Sequence, residues 1–402
     1  MLHTSYIELD GAALNRNIAF LRSLVPDGTS FSMVVKANAY GHGIESLLPL
    51  IEDCGVNHFS VFSVAEAMRV QRTMGANSDL MILGFVDDDH LSWAIERDVS
   101  FFVFTLERLR AAIAAARDLG RPARIHVELE TGMHRTGFCE DQLPEVVELL
   151  QNDAAVLEVE GLCTHYAGAE DLQSVDRIEE QIATFRRLCG ELRDQGIEPR
   201  YRHTACSGAL FNYPDSIMDL VRIGIASYGF WPNQETRSAF LRQHGLREDP
   251  LERILTWKSK ILSVNHVPEG AYVSYGKTYL TTRPSRIATV PVGYGYGFGR
   301  DLSNNGHVLV GGQRAPVVGT VNMNMLVIDV TEIEGVEVHD EVVLIGRQGD
   351  QVMTVSSFSD MNNSMNYELL TRLPDHIPRI ATTPAVVGAG AGLTTDGAGP
   401  RP

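Results

Sequence analysis

Lysine is scarce in this 402-residue sequence, which also lacks paired cysteines and long apolar runs. Five scattered cysteines without C-x-x-C spacing argue against a disulfide framework or a zinc site and fit a reducing cytoplasm. No apolar run reaches the ~18–20 residues that a membrane span needs, and no signal peptide is visible, so we expect a cytoplasmic protein. Acidic residues outnumber basic ones by 51 to 34, which disfavours nucleic acid as a partner because Lys and Arg supply most of the affinity for its backbone.

The few lysines are unevenly placed along the chain. Lys36 is the only lysine in the first 257 residues, and arginine occupies the other strongly basic positions there. A primary amine can lose its proton near neutral pH and attack a carbonyl, whereas a guanidinium cannot. This isolation, and the setting VVKANAYGHG, favour a functional role for Lys36 over that of a solvated lysine at a strand end.

The first 225 residues alternate between short β-branched runs and amphipathic stretches such as LERLRAAIAAARDLG and VDRIEEQIATFRRLCGELRDQG. Eight strand–helix units of this kind predict an α/β fold with a TIM-type (β/α)8 barrel. A doubly wound open sheet is the alternative, although no GxGxxG motif follows the first strand. The predicted strands are Phe31–Lys36, His58–Ser63, Asp79–Leu83, Ser100–Phe104, Arg124–Glu130, Leu157–His165, Tyr201–Cys206 and Asp219–Gly224.

After about residue 240 the pattern changes to short alternating strands separated by Pro, Gly and Asn turns, which predicts a mostly β domain. The segments are ILTWKSKILSVNHV, AYVSYG, SRIATVPVGYG, HVLVGGQRAPVVGTV, MLVIDVTEI and EVVLIG, followed by a helical stretch SSFSDMNNSMNYELLTRL. We therefore expect the barrel over residues 1–238, the β domain over 239–384 and a disordered Gly/Ala/Pro-rich tail over 385–402.

Side chains at the C-terminal ends of barrel strands converge on one mouth. Arg222 lies between apolar residues there and needs a partner, at a site or in a structural ion pair. His165 fits a core histidine as well as a site residue, and Tyr275 and Met323, in the β domain, fit ordinary packing. The predicted strands place at the mouth Lys36, Glu130 with Arg135, His165, Ser207 and Arg222.

Nine motifs occur in an order that resembles the alanine racemases, over about residues 4 to 380. They are VVKANAYGHG, LETGMHRTGF, GLCTHYAG, CSGA, VRIGIASYG, VSYGKTY, VPVGYGYG, VGTVNMNM and NYELL. That family consists of fold-type III pyridoxal-phosphate enzymes. The resemblance implies pyridoxal 5'-phosphate as cofactor, no metal, and a homodimer with shared active sites. It also implies two-base racemisation of a small amino acid, and alanine is the first candidate substrate.

The resemblance also implies roles for individual residues. Lys36 matches the lysine that bonds covalently to the cofactor, and Tyr275 matches the second base, which the partner subunit supplies. Arg222 matches the arginine that faces the pyridine nitrogen, and His165 would link it to Tyr275 and favour the phenolate. The phosphate would be bound by Tyr40, Ser207, Gly224, Ile225 and Tyr367, and the substrate carboxylate by Arg135 and Met323.

Several positions depart from the family pattern. Glu128 stands where many members carry a lysine modified to a carbamate, and we expect its carboxylate to supply the same negative charge. Thr320, Asn322 and Asn324 replace Arg, Cys or Ser, and Asp, so serine is an alternative substrate. A fold-type III decarboxylase or aldolase and a non-catalytic pyridoxal-phosphate carrier are further alternatives.

Overall fold

The computed structural model describes residues 3–355 and 366–382, with the side chains of residues 366 and 367 outside that description. The first strand is β1 (Ser5–Asp10). Eight further strands follow, and each matches one of the eight predicted strands: β2 Ser30–Val34, β3 His58–Val61, β4 Asp79–Ile82, β5 Ser100–Val103, β6 Ala123–Glu128, β7 Leu157–Cys163, β8 Tyr201–His203 and β9 Leu220–Ile223.

These eight strands form one parallel sheet in the order β8-β7-β6-β5-β4-β3-β2-β9. Two backbone hydrogen bonds connect its edges, from Asp219 N to Arg202 O (3.1 Å) and from Arg222 N to Ala205 O (2.9 Å). The sheet is thereby a nearly closed barrel, and the predicted (β/α)8 fold is confirmed.

Helices connect successive barrel strands, and local sequence fixes their ends. In the helix Leu106–Leu119, the Thr105 hydroxyl accepts from Arg108 N, and Gly120 ends the helix at φ +62°. The other helices of the barrel region are Gly11–Ser23, Ile44–Asp53, Val64–Thr73, Asp88–Glu96, Leu143–Asn152, Val175–Asp194, Ser207–Asn212 and Gln234–Gln243. None of the described helices is both long and apolar enough to cross a bilayer.

The second half of the chain is mostly β, as predicted. Its strands are β10 Leu255–Lys260, β11 Ser263–Val267, β12 Ser285–Val290, β13 His307–Val310, β14 Gln313–Pro316, β15 Leu326–Asp329, β16 Glu341–Gln348, β17 Gln351–Met353 and β18 Arg379–Thr382. One sheet runs β14-β13-β16-β10-β1-β18, with β17 paired to β16, and the other runs β11-β12-β15. The helix Asn366–Thr371 packs beside the turn that follows β2.

Three features differ from the sequence-based expectations. The strand β1 pairs with β10 and β18, so residues 1–238 contribute one strand to the sheet of the β domain. The segment AYVSYG forms no strand; it makes a single bridge, Tyr272 to Leu280, because Ser274 and Gly276 adopt positive φ values of 65° and 73°. Most of the predicted helix in SSFSDMNNSMNYELLTRL and the whole predicted tail lie outside the described residues.

Candidate active site

Lys36 is positioned at the barrel mouth, directly after β2. The amide of Val35 still donates to Ser60 O (2.8 Å), so the strand pairing holds the backbone up to the residue before the lysine. Burial lowers the pKa of the Lys36 amine, and the positive charge of Arg135 lowers it further. A larger fraction of the amine is therefore neutral and nucleophilic than for an exposed lysine.

The turn after Lys36 is left-handed. Four consecutive residues, Ala37 to Tyr40, have φ between 50° and 54°, a conformation that costs L-residues roughly 1–2 kcal/mol each. Gly41 follows at φ +80°, and any side chain there would overlap the carbonyl of Leu370. Tertiary contacts must therefore hold this turn in place.

Glu66 supplies one of those contacts, and sequence analysis missed it. Its carboxylate accepts from Ala37 N (2.5 Å), Phe62 N (2.9 Å) and Ser63 N (3.2 Å). Ser63 in turn caps the helix Val64–Thr73 by accepting from Glu66 N. The S-x-x-E spacing is a sequence signal for this capping box, but the further bond to Ala37 cannot be read from it.

A second group of predicted residues surrounds the start of the 3₁₀ turn Ile225–Tyr228. Ser207 Oγ accepts from Gly224 N (3.2 Å) and Ala226 N (3.5 Å). A Cβ on Gly224 would lie 2.5 Å from the Tyr40 hydroxyl, so the absence of a side chain lets that hydroxyl approach the backbone. Hydroxyls and turn amides that converge in this way form an anion-binding cradle suited to a phosphate.

The last predicted phosphate ligand is Tyr367. The residue belongs to the helix Asn366–Thr371, beside the left-handed turn, but its side chain lies outside the described part of the structure.

Arg222 is 6% exposed, and its guanidinium makes four hydrogen bonds within the described chain. Its Nη1 donates to His203 Nδ1 and to His203 O (2.8 Å), and its Nη2 donates to the carbonyls of Thr164 (2.8 Å) and Thr204 (3.3 Å). No described residue accepts from Nε, which leaves one N–H donor of the guanidinium for another partner.

The histidine bonded to Arg222 is therefore His203, which sequence analysis overlooked. Its position in the predicted strand Tyr201–Cys206, two residues after Tyr201 and so on the same face of the strand, was the available signal. Among the described residues, no side-chain hydrogen bond joins His165 to Arg222, and Arg222 acts on His165 through its charge. Burial lowers the pKa of His165 to about 3, with help from the charges of Arg222 and Arg135, so His165 is neutral.

The two acidic residues of the ELETGM segment, Glu128 and Glu130, have different surroundings. Glu130 accepts from the amides of Gly132 and His134 (2.8 Å to the latter), and so it organises the loop that follows β6. Glu128 is 5% exposed, and burial raises the pKa of its carboxyl against the opposing influence of Thr136, Arg222 and Arg135. Arg135 itself is exposed and close enough to act electrostatically on Glu128 and Lys36.

Tyr275 and Met323 lie elsewhere, in the β domain. They line an open groove of about 670 Å³ together with Tyr294, Arg300 and Asn322, and none of the residues found to line it comes from the barrel mouth. Tyr275 is 72% exposed and Met323 57% exposed. The candidate residues therefore form two separate groups in the single chain: an amine, a guanidinium and an anion cradle in the barrel, and an exposed phenol in the β domain.

Thr320, one of the residues that depart from the family pattern, orders the segment around Tyr275. Its hydroxyl donates to the carbonyl of Tyr275 (3.0 Å) and lies 3.2 Å from the Thr278 hydroxyl. Ser274 Oγ donates to Thr320 O (2.7 Å) and lies 3.4 Å from Asn322 Oδ1. Neutral hydrogen bonds thus support the tyrosine where the family pattern has charged side chains.

Fold and site together define a class of two-domain proteins in which a (β/α)8 barrel with a reactive lysine precedes a β domain. Residues 9–232 match the model of the alanine racemase N-terminal domain, and residues 254–381 match that of its C-terminal domain. The alanine racemase of Leptospira interrogans is 33% identical over 378 residues, covering 94% of this chain and 96% of its own length. Alanine racemase 2 of Caldanaerobacter subterraneus is 34% identical, with coverage of 93% and 94%.

Solved structures agree with these matches. Alanine racemase of Bacillus anthracis with bound L-Ala-P has a TM-score of 0.86 at 30% identity, covering 95% of this chain and 96% of its own. That of Bartonella henselae, described with covalently bound pyridoxal phosphate, has a TM-score of 0.79 at 26% identity, with coverage of 94% and 100%. The chain belongs to the alanine racemase family.

Proposed function

We propose that this protein is a pyridoxal-phosphate-dependent isomerase that interconverts L- and D-alanine. The observation that carries the proposal is the barrel mouth, where the isolated amine of Lys36, with its lowered pKa, occurs with a buried guanidinium and an anion cradle. An amine binds an aldehyde, a cradle of amides and hydroxyls binds a phosphate, and a guanidinium donor suits a ring nitrogen. Pyridoxal phosphate carries all three groups: an aldehyde, a phosphate and a ring nitrogen.

The residues fit that cofactor, which supplies an electron sink for the charge left when the α-proton of an amino acid departs. Lys36 would hold its aldehyde carbon, and Tyr40, Ser207, Gly224, Ile225 and Tyr367 its phosphate. Arg222 would face its ring nitrogen through Nε–H. Because a guanidinium keeps its proton, Arg222 would leave the ring nitrogen unprotonated, which would weaken the electron sink and favour simple return of a proton over decarboxylation.

Racemisation needs one base on each face of the substrate. Lys36 provides the first base, and we propose Tyr275 of a second copy of the chain as the opposite one. The high exposure of Tyr275 in the single chain supports this arrangement, because its phenol is free to enter the barrel mouth of a second copy, where positive charges would favour the phenolate. Arg222 and Arg135 provide such charges at the barrel mouth, near neutral His165. The active unit is then a homodimer with shared sites.

Substrate recognition follows from the same placement. Arg135 and the backbone of Met323 would bind the substrate carboxylate, Arg135 from the barrel and Met323 from the partner. Glu128 would balance the charge of Arg135 with its own carboxylate. The neutral set Thr320, Asn322 and Ser274 beside Tyr275 favours testing serine as a second substrate, because these groups can bind its hydroxyl.

Deuterium exchange tests the proposal directly. The purified protein with pyridoxal phosphate is incubated in deuterated water with one L-amino acid at a time, and both enantiomer composition and α-deuterium content are measured. Equal amounts of D- and L-alanine carrying α-deuterium are expected. Exchange without inversion would exclude Tyr275 as a second base, and no exchange with any amino acid would favour the carrier alternative.

Two variants separate the roles of the bases. Lys36→Ala is expected to abolish the visible absorbance of the lysine–cofactor bond, and persistence of that absorbance would remove the cofactor assignment. Tyr275→Phe is expected to slow exchange far more from one enantiomer than from the other. Equal and mild losses from both would show that Tyr275 is not a face-specific base.

A further inference from the structure

A line of hydrogen-bonded polar side chains runs through the barrel interior beneath Arg222, where branched apolar residues are the usual filling. His203 Nε2 lies 2.8 Å from His126 Nδ1, and His126 Nε2 lies 3.2 Å from Ser100 Oγ. Ser100 Oγ lies 3.3 Å from the carbonyl of Leu80. Both histidines and Ser100 are fully buried.

The direction of every hydrogen bond in this line follows from its first member. Arg222 can only donate, so His203 Nδ1 must be unprotonated and accept. Burial lowers the pKa values of His203 and His126 well below the usual range, so each ring carries one proton. His203 must then be protonated at Nε2 and donate to His126 Nδ1. His126 in turn donates from Nε2 to Ser100, whose hydroxyl donates to Leu80 O.

Gly161 on β7 makes room for the contact between the two rings. A Cβ at this position would overlap His126 Nδ1 and lie 2.8 Å from His203 Nε2. The φ of Gly161 is not in the left-handed region, so the backbone conformation does not require glycine there. A side chain at position 161 would therefore occupy the space in which His203 and His126 form their hydrogen bond.

We propose that His126 is a positioning residue for the reaction: by accepting from Nε2–H, it locks His203 in the tautomer that Arg222 requires, so that Nδ1 of His203 accepts from Arg222. In the other tautomer, two N–H donors would face each other, and the guanidinium would be displaced. With the lock in place, four of its five donors are bound by protein and Nε–H remains. The link to catalysis rests on the proposed function, in which that donor faces the cofactor ring, whereas the tautomer itself does not.

Nitrogen-15 NMR of histidine-labelled, full-length protein as purified reads the tautomer directly. Two-bond proton–nitrogen correlations distinguish a ring protonated at Nε2 from one protonated at Nδ1, and comparison with His203→Gln identifies the His203 signals. We expect Nε2 to be protonated and Nδ1 bare. The signals should not change through the range around pH ~6.5 in which an ordinary histidine titrates.

Variants of His126 test the lock. His126→Phe keeps a ring of similar size but removes the acceptor, so the His203 signals are expected to become a mixture of tautomers. Alanine turnover should fall by about ten- to a hundredfold, the range for a hydrogen bond to a charged group. His126→Asn is expected to restore the Nε2-protonated signature, because Asn Oδ1 is as many bonds from Cα as His Nδ1.

Gly161→Ala should disturb the same hydrogen bond without replacing either histidine. Its matched control is Gly190→Ala, since a Cβ at Gly190 meets no atom within 4 Å. The first variant should lose the His203 signature, and the second should keep it.

A His203 protonated at Nδ1 in the unmodified protein would overturn the proposal, as would an unaltered signature in His126→Phe. The spectrum of the unmodified protein decides the tautomer even if a variant does not fold. If the expected signature is found but no amino acid is racemised, the proposed function is wrong and the assignment of the hydrogen-bond direction stands.

Discussion

Replacing Glu66 tests how the barrel holds its reactive lysine. This carboxylate joins the start of the helix Val64–Thr73 to the amide of Ala37, the residue after Lys36. Glu66→Ala removes the acceptor for three backbone amides. Loss of the cap costs ~1 kcal/mol, and loss of a charge-assisted hydrogen bond to Ala37 costs about 1.5–3 kcal/mol. The free energy of unfolding, measured with urea, should therefore fall by about 3 kcal/mol.

Glu66→Gln separates geometry from charge. The amide oxygen can still accept from Ala37, but the negative charge that raises the pKa of Lys36 is lost, while burial and Arg135 continue to lower it. The pKa of Lys36 should therefore fall further. It is read in cofactor-free protein from the pH dependence of acetylation at Lys36, quantified by peptide mass spectrometry.

The matched control is Glu107→Gln, which changes an exposed first-turn glutamate in the helix Leu106–Leu119 and should leave the Lys36 profile unchanged. A Lys36 pKa that rises or stays the same in Glu66→Gln would refute the electrostatic argument. An unfolding free energy that is unchanged in Glu66→Ala would refute the structural one.

Three other changes have expected outcomes. Glu128→Gln should raise the unfolding free energy near pH 7. The pKa of the Glu128 carboxyl is raised in the folded protein, so its ionisation destabilises the fold once the pH exceeds the pKa that the group has in the unfolded chain. Denaturation at several pH values should show that the gain vanishes in acid. Gly224→Ala should weaken pyridoxal-phosphate binding about ten- to a hundredfold in a fluorescence titration, since its Cβ would displace the Tyr40 hydroxyl. Thr320→Val should slow α-deuterium exchange about fivefold from the enantiomer that Tyr275 deprotonates, with little change from the other.

Each of these outcomes has a control or a contrary result. A Glu128→Gln gain that persists in acid would show that the buried charge is not its cause. Gly190→Ala should bind the cofactor normally, and equal loss in both glycine variants would exclude the cradle argument. Thr320→Ser retains the hydroxyl and should exchange from both enantiomers like the unmodified protein.

The eight barrel strands were predictable because buried parallel strands are continuous apolar runs, and their C-terminal ends marked Lys36, Ser207 and Arg222. What could not be predicted depends on contacts between distant positions. Nothing local indicates that His203 bonds to Arg222 or that His126 bonds to His203. Short edge strands such as β18 carry a weak pattern, and their pairing with β1 is set by the tertiary fold.

Glu130 shows the limit of reasoning from strand ends alone. Its position after β6 predicts a side chain at the mouth, but a strand end gives no sign of the loop amides from which its carboxylate accepts. Tyr275 shows a different limit. The motif around Tyr275 matched that of a catalytic base in the family. Its distance from the barrel mouth of the same chain was shown only by the structure, in which Tyr275 lines a groove of the β domain.

The pairing of β1 with β18 bears on how the protein is made. Ile7 lies opposite Arg379 and Asp10 opposite Thr382, so neighbours in this sheet leave the ribosome some 370 positions apart. At translation speeds of about 5–20 residues per second, β1 waits roughly 20 to 75 seconds for this partner. The barrel strands β2 to β9 are all synthesised within that interval. Assembly of the nascent chain is thus expected to start with the lysine-bearing barrel, and β18 joins the sheet of the β domain only after strands β2 to β17 have been made.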